Sequence, residues 1–368
     1  MKLICNKQSL YEALINVSKA VADKSTIPAL EGIKLTLEDS TLWLTGYDLE
    51  IGIKTFIPVV SSDCGEMIIN SRLFSEIVKK MPTEEIEIDI AENLAVTIIG
   101  GVTEYTVSAV SAKEYPVIPE FVDEETATVS QSVLKSMINQ TIFAVSQNDT
   151  KPILKGELFE IVDNSFNMVA IDGFRLAVRT EAIKTDKSFK FVVPSKTLNE
   201  VSKLLKDDDE IMCDIRVSKK HIVFDFNGYT VFSRLLEGEF HNYRGSIPQN
   251  SVTEVIIEKR ELINCLERAS LLINERIKSP VRCIFDGGAL KISCQTSIGK
   301  IFDEIPADIA GPKIEIGFNC KYLLDPLKAI SDDKIKLLMN GGNLPMKIVP
   351  IKNNEYTYLV LPVRLKAE

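Results

Sequence analysis

Histidine is almost missing from this chain: His221 and His241 are the only two in 368 residues. There is no HExxH and no Cys/His cluster, so a zinc site is not expected. A Ser-His-Asp nucleophile would have just these two imidazoles to draw on, and no GxSxG is present. Phosphate-cradling loops are missing too: there is no Walker A and no GxGxxG, and the glycine pairs at Gly100, Gly287 and Gly341 lie in strand-rich contexts. The seven cysteines (5, 64, 213, 265, 283, 294 and 320) form no CxxC and are odd in number. Reduced, mostly buried thiols are expected rather than a disulfide framework. No stretch approaches the roughly 18 apolar residues of a membrane helix, and the opening MKLICNKQSL has no long apolar run. A cytoplasmic protein without metal or other cofactor is therefore expected. Carboxylates are plentiful but nowhere concentrated; Asp207-Asp208-Asp209-Glu210 reads as a solvated loop.

What is present is a repeat. INSRLFSEIVKKMP, residues 69–82, places Leu73, Ile77 and Met81 four apart, with Phe74 and Val78 beside them. That spacing predicts a helix with these residues on one face. Arg72, Glu76 and Lys79 share the opposite face. Lys196, Glu200 and Lys203 recur at the same spacing in VPSKTLNEVSKLLK, as do Lys321, Asp325 and Lys328 in FNCKYLLDPLKAIS. Arg72 to Lys196 is 124 residues and Lys196 to Lys321 is 125. Ile-Asn recurs at 15, 138 and 263, in a predicted first helix of each repeat, and Tyr-Thr at 105, 229 and 356, where it is expected to open a last strand. Three domains of similar fold follow: 1–122, 123–248 and 249–368.

Each domain reads as two helices and about eight short strands. The first helix of the first domain is predicted over Tyr11–Ala22, and a loop fixed by Pro28 follows. GIKLTLED, TLWLTGYD and EIGIKTFIPV alternate with period two and are joined by turns at Glu38–Ser40 and Tyr47–Asp48, which suggests an antiparallel meander. Ser111–Glu125 and Glu239–Asn250 read as linkers. The fold class is α+β, with helices on one side of antiparallel sheets. Pro326, inside the third coded helix, predicts a kink or a late start there.

Charge is segregated. The chain carries −9 overall. The six predicted helices (7–21, 70–81, 130–147, 194–206, 259–274 and 319–330) hold fourteen Lys/Arg against six Asp/Glu. They are thus +8, and everything else is −17. A basic helix surface suits a phosphate backbone, while the acidic remainder discourages adhesion elsewhere. No helix-turn-helix and no aromatic-basic interleaving appears, so any DNA contact should be sequence-independent and salt-sensitive.

LTGYDLEI (44–51), AIDGFRLAV (170–178), EIGFNCKYLLD (315–325) and the tail YLVLPVRL (358–365) resemble the bacterial β sliding clamp family, the processivity subunit of DNA polymerase III. The resemblance runs end to end. It implies a ring-shaped head-to-tail homodimer that encircles duplex DNA and tethers the replicative polymerase, without catalysis of its own. It also implies docking of the clamp loader and repair proteins.

DNA contacts carried over by position fall on Lys24, Arg72, Asn148, Lys151, Pro152 and Ile153. Lys196, Lys203 and Lys321 join them from the charge code. A partner-peptide pocket falls on Leu154, Ile171, Gly173, Phe174, Arg175, Leu176, His241, Asn319, Tyr322, Asn343, Val360, Leu361, Pro362, Val363 and Arg364. The dimer seam falls on Tyr105, Val107, Leu271 and Leu272. Gly245 stands where the family commonly has Arg, and Lys366-Ala367-Glu368 extends the usual end. A monomeric interaction scaffold that uses the pocket without DNA, and a nucleic-acid-processing enzyme, are the readings from other classes.

Overall fold

The computed structural model describes residues 1–119, 125–184, 188–273 and 279–365. The expected boundary at 122–123 and the extension Lys366–Glu368 lie outside them. Six α-helices occur among the described residues: α1 (Lys7–Ser18), α2 (Ser71–Lys80), α3 (Gln131–Thr141), α4 (Ser195–Leu204), α5 (Lys259–Ser270) and α6 (Cys320–Ala329). The first begins at Lys7, the start of the segment 7–21, because the Asn6 side chain caps it by accepting from the Ser9 amide, and it ends at Ser18, short of Ala22. Helix α6 starts at Cys320, with Asn319 as its cap, and carries Pro326 inside. The late start is thus corrected: the cap fixes the beginning, and proline removes only the amide that would reach back to the Tyr322 carbonyl.

One member of the expected stripe of α2 is also corrected. Phe74, Ile77, Val78 and Met81 are buried, but Leu73 is 49% exposed. At 100° per residue Leu73 sits about a right angle from the centre of the buried arc, on its rim. Arg72, Glu76 and Lys79 are exposed as expected.

The chain forms two compact units. One comprises 1–132 with 203–235, and the other 133–202 with 236–368. The middle repeat is therefore divided between them. In the first unit, nine strands form one antiparallel sheet. Their order is Glu125–Ser130, Met212–Val217, His221–Phe226, Tyr229–Arg234, Ile51–Pro58, Thr41–Tyr47, Gly32–Glu38, Gly65–Asn70 and Val110–Ser111. A four-stranded sheet runs Lys2–Asn6, Glu85–Ile90, Ala95–Gly100 and Thr103–Ser108. The second unit has the same plan. Its nine strands run Phe189–Pro194, Gly156–Val162, Ser165–Ile171, Arg175–Ala182, Tyr356–Val360, Met346–Val349, Lys334–Met339, Thr253–Glu258 and Asp308–Ala310. Its four run Gly299–Pro306, Ala289–Thr296, Val281–Asp286 and Ile314–Phe318. Tyr229 and Tyr356 open strands as expected; Tyr105 is two residues inside its strand.

A clasp recurs in each repeat, and the sequence pattern did not reveal it. The amides of Lys7, Gln131 and Lys259, each the first residue of a helix, donate to the carbonyls of Glu84, Ile211 and Asp333. The Lys7 ammonium donates to Met81 O (2.5 Å), and that of Lys259 to Ile330 O (2.7 Å). In the middle repeat Gln131 donates to Met212 O and accepts from the Lys206 amide. Apart from the Lys206 amide bond, these satisfy carbonyls at or beyond the end of the second helix, which has no intrahelical donors for them.

Glu157 is fully buried in strand Gly156–Val162, and Thr141 Oγ1, at the end of α3, lies 2.5 Å from its carboxyl. Thr141 Oγ1 also lies 2.8 Å from Met137 O. One hydroxyl hydrogen cannot serve both oxygens. A protonated Glu157 donating to Thr141, with Thr141 donating to Met137, completes both bonds. Burial pushes the carboxyl up to about 8, which favours this protonated form.

A folded pKa raised above the unfolded value gives stability that is greatest below pH ~4.5 and declines up to pH ~8. Glu157→Gln, which keeps a donor toward Thr141, should leave stability near pH 5 almost unchanged. Above pH 8 it should raise it by on the order of a few kcal/mol. Urea unfolding at pH 5 and pH 9 checks this.

Candidate functional site

The second unit carries the most elaborate surface feature, and it begins with a turn. Asp172 Oδ1 accepts from the amides of Phe174 and Arg175 (2.8 and 3.0 Å), and the Asp172 amide bonds back to Arg175 O. The turn needs a positive φ at Gly173 (+90°), where glycine carries no Cβ penalty. It delivers Arg175 as the first residue of a strand, paired with Val360 of the strand Tyr356–Val360. The seam continues past that strand, since the Leu361 amide donates to Phe174 O and the Val363 amide to Gly317 O. The tail is therefore held by backbone on both sides, and Val360 is wholly buried. Its strand lies between two others, not at an edge.

Arg175 organises the surrounding side chains. Its Nε donates to Asp172 (2.9 Å), one Nη to Asp325 of α6 (2.5 Å) and the other to the Phe143 carbonyl (2.5 Å). Its guanidinium lies 4.6 Å from the Tyr322 ring centre. Tyr322 also stacks on Phe174 at 5.9 Å, and burial chiefly raises its phenol pKa. A planar fork that meets two carboxylates, a carbonyl and a ring suits Arg and not Lys.

Beside this cluster opens a cavity of about 590 Å³. Leu154, Ile171, Gly173, Arg175, Leu176, His241 and Leu361 line it, all of them expected pocket residues. Glu239, Phe240, Asn242, Ser246, Pro345 and Leu359 also line it and had not been singled out. The resemblance places both Val360 and Leu361 there; Leu361 reaches the wall, but beside it Leu359 does so in place of Val360. Lys151 and Ile153, assigned to DNA by the resemblance, line the cavity as well. Phe174, Asn343, Val363 and Arg364 are exposed, Asn319 caps α6, and Pro362 and Tyr322 are half-buried; none of these is a wall residue of the cavity.

Tyr243 and Arg244 stiffen one side of the cavity. Both donate to the buried carboxylate of Glu160, Tyr243 at 2.8 Å and Arg244 through two nitrogens at 2.5 and 3.1 Å. Burial pushes the Glu160 carboxyl up. The bonds from Arg244 and Tyr243 and the charges of Arg244 and Lys190 outweigh it, so the group sits below its ordinary range. Gly245 next to them is exposed, and a Cβ there would meet nothing within 4 Å.

The other expected DNA residues are at the surface. Lys24 lies in an exposed loop after α1, Arg72 in the first turn of α2, Lys196 and Lys203 on α4, and Lys321 in the first turn of α6. Asn148 and Pro152 are exposed, and Asn148 folds its own loop by accepting from the Thr150 amide. Of the seam residues, Tyr105 is 40% and Leu271 80% exposed, while Val107 and Leu272 are half-buried.

Family models described as the N-terminal, central and C-terminal domains of the DNA polymerase III beta subunit match residues 1–119, 128–242 and 244–364. The beta sliding clamp of Bacillus subtilis is 34% identical over 99% of this chain and all of that protein. The solved sliding clamp from Bacillus subtilis superposes with a TM-score of 0.96, covering both chains completely. The beta subunit from Streptococcus pyogenes gives 0.95 at 26% identity, over 99% of this chain and all of that one. The chain belongs to the beta sliding clamp family, the beta subunits of DNA polymerase III.

Proposed function

We propose that two copies of the chain join head to tail into a ring around duplex DNA, acting in the bacterial cytoplasm as a non-catalytic tether for the replicative polymerase. The observation that carries this reading is the state of the sheet edges. Each four-stranded sheet has one edge engaged by its own chain, through Ile4 with Val60 and through Gly317 with Val363. The opposite edges, Thr103–Ser108 and Gly299–Pro306, end their sheets among the described residues. Exposed apolar side chains mark both: Tyr105 on the first, Phe302 on the second, and Leu271 after α5. Uncovered strand edges with apolar residues favour pairing with another chain. Because the two edges belong to opposite ends of the sequence, pairing them between copies is a head-to-tail contact, the kind that two copies repeat when they close a ring.

The basic helix faces suit the duplex. Arg72, Lys196, Lys203 and Lys321 are exposed, and a net charge of −9 keeps acidic surface away from phosphate. Lys24, Asn148, Lys151 and Pro152 are assigned to the same role. A ring retains DNA by topology and needs no tight contact. On nicked circular DNA, loaded by a clamp loader, the protein should be retained, and linearising the circle should release it. Persistence after linearisation would mean ordinary electrostatic binding. Absence of retention, with a monomeric mass at every concentration, would favour a scaffold without DNA.

The cavity beside Arg175 is assigned to short peptides with apolar Leu/Phe-type side chains, carried by polymerase, loader and repair proteins. Its walls are mainly apolar, with Lys151 and His241 as polar side chains at the wall. Leu361→Asp keeps the backbone bond to Phe174 but places a carboxylate on an apolar wall. It should weaken peptide binding at least about tenfold, roughly 1.4 kcal/mol, without changing the unfolding midpoint. Unaltered affinity in a fluorescence titration would remove the peptide from this cavity.

A further inference from the structure

The first unit contains the same construction in closed form. Asp48 Oδ1 accepts from the amides of Glu50 and Ile51, and the Asp48 amide bonds back to Ile51 O. Leu49 takes the positive φ (+76°) that Gly173 takes in the second unit. The following strand pairs with Tyr229–Arg234, and the Arg234 amide donates to Glu50 O just as Leu361 donates to Phe174 O. The register makes Phe232 the counterpart of Leu359, and Gly52 the counterpart of Leu176. A 3-10 turn precedes the next strand in both, Pro28–Glu31 here and Pro152–Lys155 there, so Leu30 answers to Leu154.

The difference is in the side chains. Leu154, Leu176 and Leu359 line an open cavity. In the first unit Leu30, Tyr47 and Phe232 are all at least nine-tenths buried in one cluster with Tyr115. The Phe232 ring lies across Gly52 so closely that a Cβ there would fall 1.9 Å from it. Its centre is 5.4 Å from that of Tyr47. The ring thus occupies the space that a leucine pair leaves free in the other unit.

We infer that Phe232, seated on Gly52 and backed by Tyr47, plugs a second copy of the groove and holds each chain to one peptide-docking site. The occupant it excludes is a peptide of the same apolar class, and in this the inference rests on the peptide reading above. Phe232→Ala should expose a second site and raise the stoichiometry for a Leu/Phe-containing peptide from one to two per chain in calorimetry. Where the alanine variant lacks a cooperative unfolding transition, Phe232→Leu, the residue type at the equivalent place, is read by the same rule. One peptide per chain in both wild type and folded variant would overturn the plug. No binding to wild type with one peptide on the variant would support the plug while retiring the peptide reading of the open cavity. No binding to either would retire both.

Discussion

Everything at the surface of this protein depends on backbone pairing between strands of different repeats. A repeat by itself would leave two strand edges with unpaired amides and carbonyls. The strand Tyr229–Arg234 closes onto Ile51–Pro58, and Tyr356–Val360 onto Arg175–Ala182. Each seam turns two half-sheets into one nine-stranded sheet. Backbone hydrogen bonds of this kind are each worth little net, but leaving them unmade in a buried place is costly. The seams therefore fix the register between repeats, and with it the side chains that meet there.

The groove is a by-product of that register. Antiparallel pairing brings an Asx turn from one repeat beside the chain leaving another. The Asp172 turn and the tail after Val360 meet in this way, and so do the Asp48 turn and the chain after Ser233. Backbone geometry repeats almost without change, so only side-chain volume decides whether the groove is open. Two leucines leave a cavity of about 590 Å³, whereas phenylalanine on glycine leaves its ring packed against Tyr47. A close-packed interior makes that a discrete choice.

Much of the fold was legible because the signals are periodic. Helical spacing located α2, α4 and α6, and the 124-residue interval between charge codes exposed the repeat. Leu73 was misplaced because periodicity marks a stripe without its edges, and a rim residue satisfies the same spacing. The clasps from Lys7, Gln131 and Lys259 were illegible, since the partners are backbone carbonyls, which no residue type announces. The cavity was read in part: the resemblance supplied Leu154, Arg175 and Leu361. Phe240 and Pro345, by contrast, come from a linker and a turn whose local pattern carries no period. The acid Glu157 could not be read from its strand at all. Its protonation follows from one hydroxyl hydrogen shared among too many acceptors.

Arg244 and its exposed neighbour Gly245 show how a cation beside the cavity can serve rigidity. A second arginine at 245 would have open space around it. Arg244, by contrast, commits two nitrogens to Glu160, which also accepts from Tyr243. That carboxylate is buried and would be costly to leave unpaired. Arg244 and Tyr243 therefore hold the linker turn Tyr243–Ser246 against the sheet, and Phe240, Asn242 and Ser246 line the cavity from the same segment. Arg175 acts alike on the opposite side, with three donors committed to Asp172, Asp325 and Phe143. Arg175 and Arg244 are thus both committed to positioning the walls of this cavity, whereas the exposed Lys151 lines it without such a bond among the described residues. For the peptide proposed above, this leaves apolar contact as the main means of holding it, with Lys151 and His241 at the wall.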